Sequence, residues 1–184
     1  MTMPARSTAS DTLRFPVEEA PDYGVVVEIA PGVLWVRIPL PFRLDHVNVY
    51  LLEDDGGWVL FDTGIRSDGA QAVWERLLTG PLAGLRITRV IASHFHPDHI
   101  GLAGWFCERF DAPFLTSYST YAASKMMSLD PHSTASEQSR RFYHRYGMAP
   151  ESAEIVATHG LDYLRQVAPL PETFLRLLLG DALD

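Results

Sequence analysis

The segment "SHFHPDH" (93–99) places three histidines, His94, His96 and His99, and one aspartate, Asp98, within six consecutive positions. These are metal-ligand side chains. In extended backbone, residues two apart point to the same side, so His94 and His96 can address one ion. Pro97 biases His96 towards an extended conformation. Asp98 and His99 follow, where the apolar run "ITRVIA" (87–92) gives way to an amphipathic stretch. A turn there would bring them back beside the first pair and aim them at a second ion. Imidazole with one carboxylate suits zinc, with iron or manganese as alternatives. Two such ions can share a hydroxide and polarise a scissile carbonyl or phosphoryl oxygen.

A second signal is "FDTG" (61–64), where Asp62 closes another apolar run. A carboxylate there can hydrogen-bond the backbone of the histidine loop or a ligating imidazole. A lone DTG also occurs as a simple turn and in aspartic proteases. The neighbouring histidine cluster favours the supporting role. The remaining histidines, His46, His132, His144 and His159, show no ligand spacing. His46 precedes a strand, where a surface or core role is expected, and Cys107 reads as a buried structural thiol.

The elements that must position these residues follow from periodicity. Strands are expected over 25–30, 33–40, 47–53, 57–64, 87–94 and 112–117, with helices over 69–80 and 100–110. From Tyr118 to about Val167 the pattern is helical, broken near 130–133 and 147–151, with Pro150 suited to a helix start. The stretch 170–184 reads as a strand entering a turn at "GD", with its return strand barely begun. The expected layout is a flexible arm over 1–22, a unit over 23–117, a helical segment over 118–169 and the start of a strand pair over 170–184.

The order "VNVYLLE…GWVLFDTGI…ITRVIASHFHPDHIGLAGWF" resembles the metallo-β-lactamase-fold hydrolases. The resemblance covers Val25 to Ser117. It implies an α/β (α+β) architecture: the N-terminal half of an αββα sandwich, here followed by a helical insertion. Segments such as "SKMMSLD", "FYHRYGM" and "PLPETFLRLLLGD" resemble the insertion that borders the substrate cleft in larger members. Carried over position by position, His94 and His96 correspond to ligands of a first metal. Asp98 and His99 correspond to ligands of a second, with Asp98 also the catalytic proton carrier. Asp62 corresponds to the buried aspartate of the first motif.

The activity implied is β-lactamase-like or glyoxalase II-like: attack by a metal-bound hydroxide on an ester, thioester, lactone or phosphodiester. The family's further ligand motifs do not follow within these residues. With two donors per ion, one or two zinc ions are expected to bind weakly or not at all, and activity to be poor. The alternative is a non-catalytic half-fold that serves as a binding or assembly module. The apolar faces of 47–62 and 87–93 would then be wet, so a homodimer through the sheet face, or a C-terminal half supplied by further chain, is expected.

Composition bounds the rest. The 184 residues, 47% apolar and 21% charged, suit one globular domain. A net charge of −8 disfavours nucleic acid as a partner and leaves a small-molecule substrate as the expectation. One cysteine allows no disulfide within the chain. Neither a secretory leader nor an apolar run of membrane-spanning length is present, so no membrane partner and a cytoplasmic location are expected.

Overall fold

Alternation of apolar and polar residues builds the first strands, and strand β3 (His46–Asp54) shows why. Val47, Val49 and Leu51 are buried on one face, while Asn48 is exposed on the other, where Tyr50 and Leu52 are half-buried. β3 lies between β2 (Val33–Pro39) and β4 (Gly57–Phe61), antiparallel to both, and β1 (Val26–Ala30) edges β2. The computed structural model describes residues 17, 19–130, 132, 135–159 and 162–182. The arm expected over 1–22 lies mostly outside these. Its described end is tied down, because Arg37 Nη1 donates to the Pro21 carbonyl at 3.1 Å.

The chain then changes mode. Helix α1 (Asp68–Thr79) starts at Ser67, whose side chain accepts from the Ala70 amide, and buries Ala70, Val73, Trp74 and Leu77. It leads into β5 (Ile87–Ile91), which pairs parallel with β4, then β6 (Phe114–Thr116), parallel to β5. Between them lie the single turn α2 (Pro97–Ile100) and helix α3 (Ala103–Phe110). Helices α1 and α3 cover the face that carries Val47, Val49 and Leu51, and Trp74 meets Phe106 edge-on at 4.8 Å. A helical segment follows: α4 (Tyr118–Leu129), α5 (Glu137–Arg145), α6 (Pro150–His159) and α7 (Tyr163–Gln166). The two-residue β7 (Leu175–Arg176) closes a mixed sheet whose seven strands run in sequence order. Among the described residues no helix is long and apolar enough to cross a membrane.

Four differences from the sequence reading have physical causes. The strand expected over 57–64 stops at Phe61, because Asp62 turns to φ 62°. The strand expected over 87–94 stops at Ile91, and just beyond it the Ser93 amide donates to Asp62 rather than to a ladder partner. The helix expected over 100–110 is split, since the Leu102 amide donates to the Gly64 carbonyl and the Thr63 hydroxyl, both at 3.1 Å. Finally, "FLRLLL" yields only Leu175 and Arg176, parallel to β6, before a turn at Gly180 and Asp181. Of the return strand expected after that turn only Ala182 is described, and Pro131 and Ser133 of the expected break lie outside the described residues.

The apolar face expected to be wet is also narrower than the sequence implies. Val47, Val49, Leu51, Leu60 and Val90 are all buried in the core beneath the helices. On the opposite face Val59, Ile91 and Leu115 form a small buried cluster, with Leu52, Phe61 and Leu177 packed partly over it.

Candidate metal centre

Parallel pairing of β4 with β5 brings the two motifs together, because it sets the ends of both strands side by side. Asp62 leaves β4 in a left-handed conformation that aspartate tolerates better than most residues. That turn aims its carboxylate along the histidine loop. Oδ1 accepts from the Ser93 amide at 2.8 Å, and Oδ2 accepts from the Ser93 hydroxyl at 2.9 Å. Oδ2 also meets His99 Nδ1 at 2.7 Å. Gly64, at φ 82°, has no room for a side chain: a Cβ there would lie 2.6 Å from Ile38 Cγ2.

Thr63 completes the joint. Its amide and hydroxyl both donate to the His99 carbonyl, at 2.8 and 2.9 Å, and its own carbonyl accepts from Trp74 Nε1 at 2.8 Å. The buried indole of α1 thus fixes the DTG turn, and the DTG turn fixes the backbone of His99. On the far side, the Tyr163 hydroxyl donates to the Phe95 carbonyl at 2.9 Å. Thr63, Ser93 and Tyr163 escaped the sequence reading. The first two sit inside the motifs already singled out, which is the one signal they offered; Tyr163 offered none.

The three imidazoles cluster. His94 and His96 have ring centroids 4.6 Å apart, and His94 and His99 4.1 Å. His96 is extended, at φ −65° and ψ 141°, as Pro97 requires. His99 thus stands even closer to His94 than His96 does. Asp98 faces His99, with Oδ2 3.3 Å from Nε2. Of the other histidines, His46 pairs with Asp45 at 2.5 Å and His144 is exposed on α5.

Electrostatics follow this arrangement. Burial, then the neighbouring His99 and His96, push the His94 pKa down. Burial also acts to lower His99, but hydrogen bonds to Asp62 and Asp98 outweigh it and raise the imidazole to about 9. The His99 hydrogen bond holds the Asp98 carboxyl below its usual range, against burial. Burial pushes the Cys107 thiol up to about 12, which leaves it inert.

The donor chemistry fits a divalent ion: three adjacent imidazoles, one carboxylate and a buried aspartate that orients one ring. Among the described residues no three His, Cys, Asp or Glu side chains form a set that could hold an ion as they lie. Asp98 Oδ2 and His99 Nε2 lie 3.3 Å apart, hydrogen-bonded to each other where an ion would take both.

The sequence pattern of the family described as the Metallo-beta-lactamase superfamily matches residues 42–162. The chain is 29% identical over 99 residues to the Probable metallo-hydrolase YqjP of Bacillus subtilis (strain 168), a span of 53% of this chain and 31% of that protein. It is 38% identical over 73 residues to the Ribonuclease Z of Streptomyces coelicolor, or 39% of this chain and 22% of that one. It is 30% identical over 95 residues to the Atrochrysone carboxyl ACP thioesterase of Passalora fulva, or 50% and 27%. A beta-lactamase domain protein from Burkholderia ambifaria superposes with a TM-score of 0.71 and 35% identity, covering 91% of this chain and 48% of that one. The chain therefore spans about half the length of that solved structure and under a third of the curated relatives.

Proposed function

The chain belongs to the metallo-β-lactamase superfamily, and on that premise we propose that it carries the histidine-rich part of a metal-dependent hydrolase centre. The observation that carries this is the convergence of His94, His96 and His99 beside Asp98, with His99 anchored on Asp62. His94, His96, Asp98 and His99 would hold one or two ions, zinc first by donor type. A bound ion there supplies an activated water and polarises the oxygen of the bond to be cleaved.

The chain's own residues do the rest. Asp62 and Ser93 orient the loop, and Thr63 holds its backbone. Asp98, kept ionised by its neighbour, takes a proton from the attacking water and returns it to the leaving group. Ester, thioester, lactone and phosphodiester bonds all suit this chemistry. The relatives' names span a thioesterase and a ribonuclease.

Assays of the zinc-loaded chain against all four bond types test this. Slow turnover is expected, abolished by chelation and reduced at least a hundredfold in Asp98→Asn, the scale of general acid–base catalysis at about 10²–10⁴. Turnover that survives both treatments, or zinc-loaded protein inert towards all four, overturns it.

A further inference from the structure

A cavity of about 490 Å³ opens beside the centre, with His96, Pro97 and Asp98 in its wall. That volume lies within the roughly 300–1,000 Å³ of small-molecule sites. The rest of the lining is mostly apolar: Phe42 from the β2–β3 loop, Phe95, Met127 of α4, Tyr143 of α5, Val156 of α6 and Tyr163 of α7. The Tyr163 hydroxyl is spent on the Phe95 carbonyl, so its contribution to the wall is the ring. Among the described residues Gln166 is the one other polar side chain, and no lysine or arginine lines the space. A larger hollow of about 750 Å³ lies around Gly32 and Gly56 and contains no histidine.

This lining discriminates among the four bond types. A phosphodiester, and RNA above all, needs cations for its phosphates, and the described residues of the wall provide none beyond a metal itself. An apolar tail loses water against Phe42, Met127, Val156 and the tyrosine rings, a gain that grows with each methylene. We infer that the cavity takes the apolar acyl chain of a carboxylic ester, thioester or lactone, with the carbonyl at the His96–Asp98 edge. The inference rests on the hydrolase reading of that same centre. In the reaction water oxygen bonds to the acyl carbon, the bond to the leaving oxygen or sulfur breaks, and Asp98 carries the proton from water to that atom. The products are the free acid and an alcohol or thiol, or, from a lactone, a single hydroxy acid.

The helical segment thereby becomes the specificity element, since it supplies four of the six apolar walls. Phe42 and Val156 are 47% and 38% exposed, so substitutions there alter the wall without opening the core.

The test is calorimetric titration of the full chain with neutral straight-chain 2-alkanones of increasing length, followed by a uridine dinucleotide. Zinc titration of the same preparation runs alongside. Affinity is expected to rise about fourfold per methylene, the factor for about 0.8 kcal/mol of burial, until the tail fills the cavity. The gradient should flatten in Val156→Lys and in Phe42→Ala, with folding checked by circular dichroism, and the dinucleotide should not bind. A length-independent affinity, an unchanged gradient in both folded variants, or preference for the dinucleotide overturns the inference. If zinc fails to bind while the gradient holds, the metal reading fails and the apolar site stands; zinc binding with a flat gradient does the reverse.

Discussion

Asp62 accepts two hydrogen bonds from Ser93 and one from His99, and it reaches all of them because its backbone leaves the β region. Strain of this kind, about 1–3 kcal/mol, persists where surrounding contacts over-determine it. Asparagine in its place keeps the shape and tolerates the same φ, but it weakens the hold on the His99 ring. Loss of such an orienting partner typically costs about 10–100-fold in metal affinity. Asp62→Asn should therefore weaken zinc binding by that factor with little change in circular dichroism, which competition titration against a chelator can check. The sequence disclosed this aspartate because DTG closes an apolar run. It did not disclose Thr63 as the clamp on His99, because those residues lie 36 positions apart and meet only once β4 and β5 pair.

At the scale of elements, the site depends on how closely α3 approaches the chain that returns after α7. A Cβ on Gly104 would lie 1.8 Å from the Pro169 carbonyl oxygen, and one on Gly101 2.7 Å from that of Gln166. Backbone cannot yield as a flexible side chain can. Gly104→Ala should cost about 1–3 kcal/mol, the usual range for overpacking, and lower the thermal midpoint accordingly. An unchanged melting curve would show that this approach is not tight. Strands β1 to β3 and helix α1 were legible to within a residue or two, because alternation and a helical stripe are local signals. The split of α2 from α3 was not. It arises when Leu102 gives its amide to the DTG turn, a contact that no local period encodes.

At the scale of the whole molecule, one sheet face is sealed by α1 and α3, and among the described residues the other carries a small buried cluster of Val59, Ile91 and Leu115. Leu175 of β7 and Leu178 and Leu179 just after it lie exposed, at 56%, 55% and 107%. The helical segment forms the third part, and it places Met127, Tyr143 and Val156 against the cavity that His96 and Asp98 border. That association was implied by resemblance rather than by spacing, since none of those side chains carries a motif.

The histidine centre is where zinc binding can be measured directly. Its donors are adjacent, but four of them shared between two ions leave each ion only two protein ligands. Affinity should then fall short of the roughly 10–16 kcal/mol of four-ligand structural zinc sites. The direct measurement is calorimetric titration of metal-free chain with zinc, compared with the His94→Ala/His96→Ala double variant. Weak, saturable binding of one or two ions is expected, and the double variant should lose it. Binding of equal strength in the variant, or none in the unaltered chain, would contradict that expectation.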